Sequence, residues 1–479
     1  MNAGSKIHFI GICGVAMSAV ATALWQKGYK ITGSDSGFFP PISTHLKNLG
    51  IPYYSGWHPD KMCGTDADST QNGRGKECPD LVVVGNAISS QNPELLYVQE
   101  NKIPFKSYPE IVGEFLVQKN SIVVAGTWGK TTSSALLAHI LRHAKWHPSY
   151  MTGGLTQDGA PSAAIDTGDW SVVEGDEYKT AKWDQEAKFF HYKLTHLLLT
   201  AVSWDHADMY PTEKSYFEAF EKLLKLIPKL GKIVACSDRE PLVNLLESAK
   251  KEFVSYGANE KAYYRYGNVI QSTDGISFDI DYHGKIWNIQ SPMLGAYNAE
   301  NITGCFAMAR EIGITPSDIT DAIKEFRGMK RRLEKRYEHG VTVIDDIAHS
   351  PEKAKSVLAN LRQIYRGKII AIYEPNIGNR TAQSAPSYDN AFENADEVII
   401  PRLTKLKVDA ENSEKAFEGD ELAKVISKTK KNSKYIEDDG ELVKYITDGR
   451  ADADCIAFLG SHGFRGMIEE TIKKLTGYN

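Results

Sequence analysis

The stretch Gly126–Thr132 reads GTWGKTT and follows the apolar run SIVVA, which has the length of a buried strand. Two glycines, a lysine and two threonines between a strand and a helix point to phosphate chemistry. Backbone N–H groups of such a turn converge on phosphate oxygens, and the next helix adds the positive end of its dipole. Lys130 would set a cation on the outer phosphates, and Thr131 or Thr132 a hydroxyl on Mg²⁺. The full-length form of this loop has a glycine five residues before Gly129; Val124 stands there, so the turn is a shortened variant. Because Lys130 lies in a turn, its removal is not expected to open a core cavity.

A second glycine turn lies in KIHFIGICGVAMS, where Gly11 and Gly14 permit close helix packing and approach of a diphosphate. Ala16 is near the place of the third glycine of a dinucleotide fingerprint, and Asp35 ends the following strand, where a carboxylate can meet a ribose hydroxyl. A packed strand–helix junction without a ligand accounts for this turn about equally well. VVEGDE puts Glu174 at a strand end, within reach of a magnesium on the phosphate loop. SWDHADMYP puts Asp205 and His206 beyond the strand THLLLTAV, which favours a ligand role over a surface one. Asn298 and Asn301 of GAYNAEN suit a nucleobase edge, with helix capping by Asn298 the simpler alternative. KRRLE supplies Arg331 and Arg332, a pair that is usually solvated. DDIAHSP brings Asp345, Asp346 and His349 to a strand's C-terminal end, a favoured site location in open α/β sheets.

Strand-like and helix-like stretches alternate over most of the 479 residues, which predicts α/β architecture and two to four domains. New units begin near residues 119 and 329, dividing the chain into 1–118, 119–328 and 329–479. Hydrophobic content of 42% and charged content of 24% are those of a soluble globular protein. A net charge of −5 gives no reason to expect nucleic acid, and no apolar run reaches membrane-spanning length. The chain enters a strand almost at once, so no signal peptide is read and a cytoplasmic location is expected. The six cysteines form no CxxC and are expected as free thiols, although Cys63 and Cys78 flank one polar stretch and could pair. Oligomeric state is not legible.

The motifs GICGVAMS, GSD, GTWGKTT, EGDE, DHAD, YNAEN, RRLE and DDIAHSP occur in the order found in the Mur ligase family, and the chain resembles that family over nearly its whole length. These are ATP-dependent enzymes that extend the peptide of UDP-N-acetylmuramic acid in cell-wall synthesis. The resemblance implies three domains: an N-terminal Rossmann-like domain for the UDP-sugar, a central P-loop-type ATPase domain and a C-terminal Rossmann-like domain. It implies UDP-sugar contacts at Gly11, Gly14, Ala16, Met17, Ser18, Asp35 and Asn86. It implies ATP contacts at Gly126, Thr127, Gly129, Lys130, Thr131, Thr132, Asn298, Asn301, Arg332 and Asp346, and Mg²⁺ on Thr131, Glu174 and His206. Lys130, Glu174, His206 and Arg332 would carry catalysis. Three stretches, GNAISSQNPE, EYKTAKWDQEAKFFHY and KIIAIYEPNIGN, resemble most the branch that attaches the tripeptide L-Ala-γ-D-Glu-meso-diaminopimelate. The branch that attaches L-alanine to the same nucleotide is the alternative. Arg380, Arg402 or Lys405 could meet the tripeptide's further charges, although a solvated role suits any one of them as well.

The implied chemistry answers why one chain has two phosphate turns. One holds the UDP diphosphate and the other ATP, whose γ-phosphoryl moves to a carboxylate to make an acyl phosphate; an amine then displaces inorganic phosphate. Both reactants are anions, so charge neutralisation dominates. Several positions depart from the family pattern. Trp128 replaces a common histidine, Ala201 a usual asparagine and Ser203 a usual glutamate. Phe220 stands about where some members carry a carbamylated lysine, Lys222 is out of register, and no DNPR stretch is present. Two readings of other classes compete: an NAD-dependent oxidoreductase, which leaves GKTT, Glu174 and His206 unexplained, and a nucleotide-gated binding protein without ligase turnover, motivated by Trp128 and Ala201.

Overall fold

A computed structural model describes residues 1–38, 42–63, 78–404 and 416–477. Three sheets form the frame, each faced by helices, in agreement with the α/β expectation. The first sheet has the order Tyr53–Ser55, Lys30–Asp35, Lys6–Ile10, Leu81–Val84, Phe105–Ser107, all parallel. The central sheet has ten strands. At its heart His196–Leu199, Asn120–Ala125, Trp170–Gly175 and Ser149–Met151 lie side by side and parallel. The third sheet has the order Glu334–His339, Val341–Asp346, Cys455–Gly460, Ile369–Glu374, Glu397–Pro401, Ser433–Ile436, antiparallel only at its first pair.

Parallel strands need crossover helices on both faces, so their residues are apolar on both sides. Ile122, Val123, Val124 and Ala125 are fully buried, as are Ile369 to Tyr373. Parallel order also gathers the strands' C-terminal ends, and hence the chemically rich turns, along one edge.

The chain folds as two compact units. One comprises Met1–Gly267, Asp279–Ile289 and Ala299–Phe326, and holds the first sheet and the heart of the central one. The other comprises Asn268–Phe278, Gln290–Asn298 and Arg327–Asn479. Within this second unit the short stretches are pinned to the long one. Lys335 Nζ donates to Thr273 O at 2.7 Å, Gln271 Nε2 to Gln363 at 2.7 Å, and Ala296 N to Asn360 Oδ1 at 3.1 Å.

One expectation fails. Cys63 and Cys78 are joined as a disulfide, while Cys13, Cys236, Cys305 and Cys455 are free. Both bonded cysteines belong to one apolar cluster with Met62, Trp57, Val82 and Val84, and that packing brings the thiols together.

Candidate active site

The phosphate loop follows the strand Asn120–Ala125 and opens the helix Lys130–His143. Gly126 and Gly129 have φ of +136° and +82°, backbone that L side chains rarely adopt. A Cβ at Gly129 would also collide with Asn301 Oδ1, and one at Gly126 with Thr200 Oγ1. The helix has no side-chain cap and no acidic residue in its first turn, so its amino end is suited to receive an anion. Thr127 is spent on the scaffold: its hydroxyl donates to Ser203 O at 2.7 Å and accepts from Ser203 N at 2.8 Å. Trp128, 55% exposed, forms an isolated antiparallel bridge with buried Ala201.

Lys130 Nζ donates to the Gly126 carbonyl and lies 3.0 Å from each carboxylate oxygen of Glu177, a residue only 1% exposed. Glu177 also faces His206 Nε2 at 3.5 Å and accepts from Tyr216 Oη at 3.4 Å. His206 is half-buried with φ +55°, held by a turn in which Met209 N and Tyr210 N both donate to its carbonyl. Its hydrogen bond to Glu177 raises its pKa above the ordinary histidine value, against the opposing effect of burial.

Glu174 stands apart from these cations. Oε1 accepts from Thr131 Oγ1 at 3.1 Å and Oε2 from Gly153 N at 2.7 Å. Burial raises its pKa, partly offset by the charge of Lys130. Asp176, two residues on, pairs with Lys188, which is 5% exposed. Three carboxylates thus leave one strand end: Asp176 and Glu177 each hold a lysine, and Glu174 holds a hydroxyl and an N–H. Thr131 and Glu174 together are a hard oxygen pair that fits Mg²⁺. The structure brings His206 to Glu177 and not into a cluster of three ligating groups. Among the described residues such a cluster occurs only at Cys236, Asp238 and Glu300.

In the first sheet, Gly11 has φ +88°, and the N–H groups of Gly11 and Ile12 donate to Ser34 O at 2.8 and 3.1 Å. Asp35 Oδ2 accepts from Cys13 N at 2.8 Å, so this carboxylate closes the glycine turn. Helix Val15–Gln26 starts at Gly14 with no side-chain cap, and Ala16 lies half-buried in its first turn. Met17 and Ser18 are buried, and the Ser18 hydroxyl donates to Val15 O at 3.0 Å. Asn86 is half-buried just after the strand Leu81–Val84.

In the second unit the two arginines of KRRLE divide. Arg331, at φ +58°, is a staple that donates to Asp345 Oδ1 and to the carbonyls of Gly460, Ser461 and His462. Arg332 is exposed. Asp346, 4% exposed, accepts from Leu333 N at 2.8 Å and Ala348 N at 2.9 Å, fixing the backbone on either side of its own strand. Asn298 and Asn301 are both buried in the first turn of helix Asn298–Glu311. Arg380 is 5% exposed and donates to Pro375 O and Thr404 O, which makes it a structural residue. Arg402 is exposed and pairs with Asp439 at 3.3 Å, and Lys405 lies outside the described residues.

Family comparison agrees with this geometry. Residues 6–120 match the Mur ligase family catalytic domain, 124–309 the Mur ligase middle domain and 331–462 the Mur ligase glutamate ligase domain. A UDP-N-acetylmuramate–L-alanine ligase of Anaeromyxobacter is 30% identical over 399 residues, 83% of this chain and 82% of that one. The chain belongs to the Mur ligase family. A UDP-N-acetylmuramate–L-alanyl-γ-D-glutamyl-meso-2,6-diaminoheptandioate ligase of Escherichia coli is 32% identical over 381 residues, 77% of this chain and 79% of the relative. The crystal structure of a UDP-N-acetylmuramate–alanine ligase from Thermotoga maritima shares the three-domain fold, with a TM-score of 0.78, 23% identity, and coverage of 99% of this chain and 100% of that one. Mur ligases are ATP-dependent and form amide bonds, which removes the oxidoreductase reading.

Sequence reasoning selected Glu174 from EGDE and missed Asp176 and Glu177, although all three stand in the quoted motif. It also missed Lys188, which lies in the stretch that carries the resemblance to the peptide-adding Mur ligases. The signal available was an excess of carboxylates after one strand, which calls for buried cations.

Proposed function

We propose that this Mur ligase joins UDP-N-acetylmuramate to L-Ala-γ-D-Glu-meso-diaminopimelate, with ATP and Mg²⁺, in the cytoplasm. The phosphate loop carries the ATP half of this reading: Lys130 is oriented by Glu177, beside the oxygen pair Thr131 and Glu174. Bound at that pair, Mg²⁺ would offset charge on the phosphates. Lys130 neutralises the transferring phosphoryl group, and the N–H groups of Gly129 to Thr131 orient it. In this reading His206, oriented by Glu177, is a further Mg²⁺ ligand near the acyl phosphate. Arg332 and Asp346 are further ATP contacts in this reading, as are Asn298 and Asn301 for the base. The N-terminal turn at Gly11 and Gly14, ending in the uncapped helix that bears Ala16, takes the UDP diphosphate.

The acceptor assignment is supported by the position of residues 177–192. This stretch folds back over the end of the strand Trp170–Gly175, with a bridge between Lys179 and Ala187, and sets Tyr178 on His206 at 5.1 Å and Lys188 on Asp176. In this reading the segment that resembles the peptide-adding branch borders the reaction centre. L-alanine as acceptor is the second reading, favoured by the Anaeromyxobacter relative. Ligation of UDP-N-acetylmuramate with each acceptor, read by mass spectrometry, decides between them; higher efficiency with L-alanine overturns the tripeptide assignment. ATP hydrolysis that needs neither acceptor nor UDP-sugar would instead favour a nucleotide-gated binding protein.

A further inference from the structure

Lys188 has no part in the chemistry derived so far, yet a buried lysine is costly to keep and is retained where it meets a charge. Its ammonium pairs with Asp176 and lies 5.9 Å from the ring centre of Tyr108 and 5.6 Å from that of Tyr178. Both rings present their electron-rich faces to a cation. The two main partners come from different sheets of the same compact unit. Tyr108 directly follows Phe105–Ser107, an edge strand of the first sheet, and Asp176 directly follows Trp170–Gly175 of the central sheet. Lys188 therefore bridges a C-terminal strand end of each of the two sheets that carry the turn proposed for the UDP diphosphate and the loop proposed for ATP.

A carboxylate that is tethered to UDP and receives a phosphoryl group from ATP has to lie in this same interval. An ammonium has three donors, and among the described residues Asp176 is the only carboxylate within ion-pair distance of Lys188. We propose that Lys188 is a substrate-contacting residue, the cation that recognises the sugar-linked carboxylate of the nucleotide substrate, with Asp176 and the two tyrosines as its cradle. This rests on the proposed UDP-N-acetylmuramate specificity and names a residue that reads it.

The test compares two nucleotide sugars by titration calorimetry: UDP-N-acetylmuramate and UDP-N-acetylglucosamine, which lacks the lactyl carboxylate. Wild-type protein is expected to prefer the first. K188Q is expected to lose about tenfold or more of that preference, the worth of a charged hydrogen bond, while binding UDP-N-acetylglucosamine as before. K188R should keep most of the preference. The double variant D176N/K188Q, which leaves no unpaired carboxylate beside position 188, should fold and behave as K188Q does. If Lys188 only staples the 177–192 segment, K188Q weakens both ligands equally, and the proposal falls. It falls also if the double variant discriminates as well as wild type. A wild-type protein that binds neither nucleotide overturns the parent reading of the UDP-sugar, a result distinct from loss of discrimination in the variants alone.

Discussion

Trp128 and Ala201 face each other in an antiparallel bridge that closes the phosphate loop, and both are positions that the family resemblance marks as departures. A large residue therefore stands opposite a small one. Cross-strand neighbours interact directly, so the two departures are expected to be coupled. The losses in ATP turnover or stability caused by W128H and A201N singly should sum to more than the loss in the double variant. A coupling energy of about 0.5–3 kcal/mol is expected from a double-mutant cycle. Strict additivity would show that the two substitutions are independent.

Lys130→Ala should cost about 10²–10³ or more in turnover, because it removes charge stabilisation from the transferring phosphoryl group. The structure adds a second effect. Lys130 is the first residue of its helix, and its partner Glu177 is buried, so the variant strands a carboxylate. Loss of one partner of a buried pair typically destabilises by about 3–5 kcal/mol, less here because His206 also faces Glu177. The double variant K130A/E177Q should unfold at a higher temperature than K130A in a thermal melt. Equal melting temperatures would show that the Glu177 carboxylate is not stranded in the variant.

The His206–Glu177 contact makes a pH prediction. A histidine whose folded pKa is raised contributes stability that is fully present below its unfolded value, near about 6.5, and is lost as pH rises through the folded value. E177Q should lower the His206 pKa, as read by NMR titration of the imidazole. The stability gap between wild type and H206A should narrow as pH climbs above that window. An unchanged titration in E177Q would remove the contact from the site.

Glu174→Gln should raise the Mg²⁺ concentration for half-maximal turnover by about tenfold or more, while UDP-sugar affinity changes by less than about twofold. Glu174 meets the hydroxyl of Thr131 and no cation directly, which is what a magnesium-facing carboxylate requires. Magnesium titration at saturating ATP measures the first quantity and calorimetry the second. A magnesium midpoint and turnover that both stay put would assign Glu174 to structure.

Asp345, 2% exposed between Arg331 and Arg336, has its pKa raised to about 6, mainly by burial, with the arginines opposing. Its protonated form is favoured by folding, so this contribution is full below about pH 4 and fades as pH rises through about 6. Its size is on the order of 1–3 kcal/mol. The difference in unfolding free energy between wild type and D345N should change across that interval and be flat from pH 7 to 8. Denaturant titrations at each pH test it.

The frame of this molecule was legible because local chemistry and global order coincide. A buried strand, a turn that tolerates positive φ at Gly126 and Gly129, and a helix start are written consecutively, so GTWGKTT could be read without tertiary knowledge. Glu174 was legible for the same reason. Glu177 was not, since the residues after a strand follow no period that tells which carboxylate turns inward. Arg331 and Arg332 are identical in type and adjacent; only the left-handed backbone at Arg331 decides that one is a staple and the other exposed. Arg380 looked like a candidate for charge recognition because its burial against Pro375 O and Thr404 O depends on a loop whose path composition does not encode. Cys63 and Cys78 could be picked out as a possible pair but were expected free, because pairing depends on three-dimensional proximity within an apolar cluster.

The second compact unit has a consequence for how such chains can be recombined. Its sheet is one continuous stretch from Arg327 onward, but the unit also includes Asn268–Phe278 and Gln290–Asn298, tied in through Thr273, Gln271 and Ala296. A single crossover near residue 327 would transplant the sheet and leave behind two of the threads sewn to it. A chimera made that way would join Lys335, Gln363 and Asn360 to foreign neighbours, so exchange of this unit between relatives requires three coordinated segments.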